Sequence, residues 1–210
     1  MRKKVSLYPE LDGLSLAALI DHFESETADA ITTESLYYSE VALKITQYGE
    51  PGVRFLFNEI EKANNIRLRA ILGALGWTKT LPVDPGPLFA KYFTHSDPMI
   101  VAEAIDALRH QGECSVLPAA KQLCSHGSPY VVGAALRYVT SCDAEGALPM
   151  LLNSLASSHP VVRQNAVDLL DEIQARDALP HLRRMLNDAD PDVREAVNSA
   201  IRNFGNEPTE

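Results

Sequence analysis

The sequence predicts an all-α protein, a right-handed α-solenoid of stacked antiparallel helix pairs, on three observations. Proline recurs in two registers, Pro98, Pro129, Pro160 and Pro191, and Pro87, Pro118, Pro149 and Pro180, each 31 residues after the one before. A fixed period of that length marks stacked supersecondary units, each burying its apolar face on the next. The residue before each proline of the first register is polar (Asp97, Ser128, His159, Asp190), which reads as an N-cap followed by proline at the first helical position, where a missing N–H costs nothing. Apolar residues then fall at helical spacing, as in Val162, Ala166, Leu169 and Ile173.

Taken in order, the basic start Met1 to Lys4 is followed by Glu10 and Asp12 before the short apolar run Leu14 to Ile20, a poor signal peptide. Leu14 to Phe23 predicts an N-terminal capping helix, and Glu24 to Thr33 a linker. Ser39 to Tyr48 and Val53 to Ile60 predict a divergent first pair, with Gly49, Pro51 and Gly52 as its turn. Asn65 to Leu72 reads as a first helix ending at Gly73 to Gly76. Trp77 to Gly86, with Pro82 and Pro85, reads as an irregular loop before Pro87 restores the register. The regular copies follow. First helices open at Pro98, Pro129 and Pro160, and second helices at Leu117-Pro118, Leu148-Pro149 and Leu179-Pro180. The fourth copy, from Asp190, holds only its first helix, and the polar tail after Gly205 is expected to fray. The expected organisation is one body over 1–210: cap and linker 1–32, divergent repeat 33–64, regular repeats 65–205 and tail 206–210.

Small residues recur where two helices must approach closely, at Ala104, Ala135 and Ala166. Asp190-Pro191-Asp192-Val193-Arg194 opens a first helix and Ala178-Leu179-Pro180-His181-Leu182 a second. This pattern closely resembles the short HEAT repeats of the phycobilisome-lyase type, strongly from about Asn65 to Gly205 and more weakly before. The resemblance implies about five HEAT-like repeats with terminal capping helices, and second helices lining a concave side. It also places Arg163 and Arg194 where an arginine bridges adjacent repeats by pairing with neighbouring acids.

The 210 residues are 46% hydrophobic and 22% charged, with a formal net charge of -9. That is an ordinary globular composition and lacks the basic footprint of a nucleic-acid binder. An acidic chain is better matched to a basic protein partner. No apolar run approaches the roughly 18 residues of a membrane span. Three cysteines, Cys114, Cys124 and Cys142, without paired spacing, predict reduced thiols used as small apolar fillers in a cytoplasmic protein; a monomer is expected.

Counting from the proline that opens each second helix, positions two and six are the predicted core: Phe89 and Phe93, Ala120 and Cys124, Leu151 and Leu155, Leu182 and Leu186. Positions one, four and eight share another face and form the candidate partner-binding stripe. It comprises Phe55, Asn58 and Lys62; Leu88, Lys91 and His95; Gln122 and His126; Met150 and Asn153; His181 and Arg184. The stripe is more basic than the chain as a whole. It reads either as a groove for an acidic or mixed-charge partner or as an ordinary solvated face. Trp77 is a candidate aromatic anchor for a partner, or a plug for the imperfect junction beside Gly76. Tyr37, Tyr38 and Tyr48 are core or contact residues of the first pair.

No catalytic set, metal or cofactor is assigned. His95 and His126 occupy equivalent positions, but the residues that follow in register are Ser157 and Asp188, not a metal-ligand set. Both histidines are expected to cap helix ends as cations favoured by the dipole. Deoxyhypusine hydroxylase, built on the same repeats, binds two irons through His-Glu pairs, and none of the six histidines here is followed by glutamate. No nucleophile elbow or phosphate-cradling glycine loop is present in the sequence. The expected function is a non-catalytic protein-protein interaction module, in its specific form an immunity-type inhibitor of a basic toxic enzyme. The alternative is a subunit related to bilin lyases; a HEAT-like DNA glycosylase is least favoured by the charge.

Overall fold

A computed structural model of the chain describes residues 7–25 and 31–205, and every regular element among them is helical. The basic start, residues 26–30 of the expected linker and the polar tail lie outside the described residues. The chain divides into two compact units, Met1–Gln111 and Gly112–Glu210.

In the first unit a 3-10 turn, Pro9–Leu11, precedes α1 (Leu16–Glu24), whose N-cap Ser15 accepts from the Ala18 amide. Leu11, Leu19 and Phe23 are buried, and the helix opens at Leu16 rather than at Leu14. Helix α2 (Ile31–Thr46) takes in Ile31 to Thr33, which the sequence reading left in the linker. Helix α3 (Glu50–Glu59) takes Pro51 and Gly52 into its first turn, so the turn shrinks to residues around Gly49, which sits at φ 68°. Proline suits a helix's first turn. Gly52 is fixed there by contact, because a Cβ on it would stand 2.0 Å from the Ile45 carbonyl oxygen of α2. Helices α4 (Asn65–Gly76) and α6 (Pro98–Gln111) follow, with the short α5 (Pro85–Ala90) between them. Helix α4 packs between α2 and α6, while α3 and α5 lie against these first helices. Ile71, Leu72, Ile100, Ala104, Ile105 and Leu108 are fully buried at that seam.

In the second unit α8 (Pro129–Cys142), α10 (Pro160–Glu172) and α12 (Pro191–Gly205) form the equivalent layer. Helices α7 (Leu117–Leu123), α9 (Ala144–Ser154) and α11 (Leu179–Arg184) are the second helices. Ala135 and Ala166 are fully buried, as close helix approach requires. Helix α9 opens one turn earlier than expected, because Asp143 accepts from the Gly146 amide and caps it, leaving Pro149 inside the helix.

The cysteine expectation is overturned. Cys114 and Cys142 form a disulfide with Cα atoms 5.7 Å apart. Helix α7 folds back on α8, so the turn before one meets the end of the other. Spacing along the chain does not show that meeting. Cys124 is the free cysteine, and burial pushes its thiol up to about 11.

Candidate functional site

The second-helix register holds with exceptions at its ends. Phe89, Ala120, Leu151 and Leu182 at position two are fully buried, as are Phe93 and Leu155 at position six for the most part. Leu186, expected in the core, is 39% exposed. It lies past the last turn of α11 in the terminal pair, with no further pair after it among the described residues. Cys124, past the end of α7, is half-buried.

None of the stripe residues is buried. Asn58, Lys62 and Lys91 in the first unit, and Gln122, His126, Asn153, His181 and Arg184 in the second, are exposed. Phe55, Leu88, His95 and Met150 are half-buried. Phe55 is spoken for, meeting the Phe23 ring edge-on at 6.0 Å. Lys62 pairs with Glu59 at 2.8 Å, and Lys91 pairs with Glu61 while lying over the Tyr92 ring. Arg184 has no ion-pair partner among the described residues.

The histidines do something other than expected. His95 Nδ1 accepts from the Asp97 amide at 3.0 Å, and His126 Nδ1 accepts from the Ser128 amide at 3.0 Å. Both rings thus serve as hydrogen-bond acceptors within the turn. In the same register Ser157 Oγ accepts from the His159 amide at 3.2 Å, and Asp188 Oδ1 from the Asp190 amide at 2.9 Å. One position thus closes the inter-repeat turn with four acceptors of three chemical types.

Arg163 and Arg194 clamp the same turns. Arg163 Nη1 donates to the Ser157 and Ser158 carbonyls at 2.9 and 3.3 Å, and Arg194 Nη1 to those of Asp188 and Ala189 at 2.7 and 3.0 Å. Arg163 also forks onto Asp188 at 2.8 and 2.6 Å, with both side chains nearly enclosed. The guanidinium holds the Asp188 carboxyl below the usual carboxylate range. The bridging expected of Arg163 is present; Arg194 holds carbonyls rather than an acid.

The sequence reading missed a groove of about 990 Å³ in the first unit, bounded by the end of α2, by α3 and by the loop after α4. Val53 and Phe57 supply apolar surface from α3, and Trp77, Leu81 and Pro82 from the loop. Trp77 is 65% exposed, so it does not plug the junction. It stacks on His110 with ring centroids 3.7 Å apart, and Arg109 donates to His110 Nε2 at 2.9 Å. The Gln111 side-chain amide donates to the carbonyls of Leu75, Gly76 and Thr78, capping α4 where the loop departs. Gly76 permits this contact, since a Cβ there would stand 2.7 Å from the Ala107 Cα. Of the stripe, only Asn58 reaches the groove. The one available signal was the irregular proline-bearing loop around the single tryptophan.

Tyr38 is core, with its hydroxyl donating to the Ser25 carbonyl at 2.6 Å. Tyr37 is half-buried and shares a hydrogen bond with His22 Nδ1 at 2.7 Å, and Tyr48 is 44% exposed. Among the described residues no cluster of three or more His, Cys, Asp and Glu side chains is placed to hold a metal ion, and no helix is long and apolar enough to cross a membrane.

Residues 148–209 match the family model for HEAT repeats. Among solved structures, the chain is similar to the crystal structure of an engineered protein, with a TM-score of 0.57 and 16% identity over 90% of this chain and 96% of that one. It is also similar to human deoxyhypusine hydroxylase in complex with glycerol, with a TM-score of 0.47 and 17% identity over 91% and 85%. No curated protein matches the chain.

Proposed function

We propose that this chain is a non-catalytic module that binds a protein partner through its second helices. The observation that carries this is the division of labour within those helices. The core positions are buried with few exceptions, while no stripe residue is buried and eight of the twelve, from Asn58 to Arg184, are exposed. An open face repeated from pair to pair suits a large partner surface. The Asp-Pro-x-Val-Arg opening and the 31-residue period support the short, lyase-type form of the repeat, as a binding scaffold rather than a lyase.

In its specific form the partner is a basic toxic enzyme, neutralised as by an immunity-type inhibitor. The net charge of -9 supports this by steering a basic partner inward. Asp168, Asp171 and Glu172 of the first helix α10, which line an acidic cleft of about 370 Å³ in the second unit, offer it a counter-surface away from the stripe. The test is affinity capture from native lysate, with wild type beside a Lys91→Glu, Arg184→Glu double variant. One protein held by wild type and lost by the variant is the result expected of an acidic or mixed-charge partner on the stripe, whereas a basic enzyme seated against the acidic cleft is held by both. A protein held equally by both moves the binding face off the second helices, and capture of none overturns the reading.

A further inference from the structure

We propose that the groove beside Trp77 is a docking site for an extended, acidic segment of a protein partner, with an apolar side chain of that segment seated on the indole. The proposal rests on the protein-binding reading and adds a second surface to it, with the chemistry of what it takes.

Three observations converge. The first is a preorganised aromatic. The indole is stacked on His110 on one side, and its loop is pinned by the three bonds of Gln111, yet most of its surface stays open. Rigid aromatics of this kind anchor partners at low entropic cost. With Val53, Phe57 and Leu81 nearby, the groove offers an apolar seat for a side chain.

The second is unpaired main chain. Thr78 N–H bonds back to the Leu75 carbonyl, but the backbone groups of Lys79, Thr80 and Leu81 have no hydrogen-bond partner among the described residues. This stretch forms one wall of the groove. A small ligand leaves such a run of donors and acceptors to water. An extended peptide lying along that wall can bond to such groups, and main-chain recognition of this kind gains affinity without demanding one sequence.

The third is charge. The groove has two cations and one anion among its lining residues. Arg54 and Glu50 pair with each other across one helical turn, leaving Lys79 without an ion-pair partner among the described residues. On a chain of net charge -9, a locally positive groove selects for carboxylates and against lysine-rich segments.

Trp77 is the single tryptophan, so its fluorescence reports this groove alone. The experiment titrates the intact protein with tryptophan-free, N-acetylated octapeptide pools. Asp or Glu alternates with Leu, Ile, Phe or Tyr in one set, and Lys replaces every acid in the other. The expected result is a saturable blue shift with reduced acrylamide quenching for acidic pools only. Lys79→Glu should weaken binding about tenfold while leaving the unliganded spectrum and the melting point in place. No saturable shift with any acidic pool, equal binding of the lysine pools, or undiminished binding by Lys79→Glu each overturns the proposal. So does a shift that follows protein concentration without peptide, which marks a second copy as the occupant. The Lys91→Glu, Arg184→Glu variant keeps the two readings apart. It should bind the peptides as wild type does, whatever it captures from lysate.

Discussion

His95, His126, Ser157 and Asp188 show how a single position can carry one structural duty through changing chemistry. Each lies two residues before a polar helix-opening residue and accepts that residue's amide. The turn needs a lone pair at the right reach, not a particular side chain. His126→Ala should therefore cost about 1 kcal/mol, whereas His126→Asn, which keeps an acceptor, should restore most of the melting temperature. Equal loss in both variants would mean that the ring serves by packing. In the sequence this duty was hidden by residue type. Histidine at a repeat end suggests a cation or a ligand, and only the geometry shows its Nδ1 as an acceptor. The 31-residue spacing did bring all four residues into view, so the position was legible and the bond was not.

At the scale of the element, the turn leading into α12 is held from two sides, by Arg194 on its carbonyls and by Arg163 on Asp188. The aspartate's carboxyl is held below its ordinary value, first by the hydrogen bond from Arg163. The sign of its pH dependence follows. A depressed folded-state value means that the pair's contribution is complete above the unfolded value of about 4 and is lost as pH falls below it. Asp188→Asn keeps the turn's acceptor and removes the charge. It should cost about 2 kcal/mol at pH 7, and the gap to wild type should close as melts are run below about pH 4. A gap that stays constant down to pH 2 would assign the loss to packing. Helix boundaries were legible wherever proline and its N-cap marked them. They shifted where a side chain supplied a competing cap, as Asp143 does for α9, or where proline sat in a first turn, as Pro51 does in α3. The groove was the least legible feature. It arises because α4 stops at Gly76, and the stop depends on Gln111, which lies 35 residues further along the chain from Gly76.

For the whole molecule, each unit carries its own core: Ile71, Leu72, Ile100 and Leu108 in the first, and Tyr138, Leu151, Leu170 and Val197 in the second. The disulfide lies wholly within Gly112–Glu210 and spans 28 residues. The expectation of a cytoplasmic chain rested on three reduced thiols, and that ground is gone for two of them, since such bridges persist in oxidising compartments. Closing a loop of that length restricts the unfolded chain enough to stabilise by about 3–4 kcal/mol. The two probes of unfolding divide along the same line. Trp77 reports only Met1–Gln111, while far-UV circular dichroism sees every helix. Reduction should lower a dichroism transition belonging to the second unit and leave the Trp77 transition in place. If both fall together, the two units melt as one cooperative body, and stability built at Cys114–Cys142 reaches the Trp77 groove. If neither falls, the bridge adds nothing that packing of α7 on α8 does not already supply.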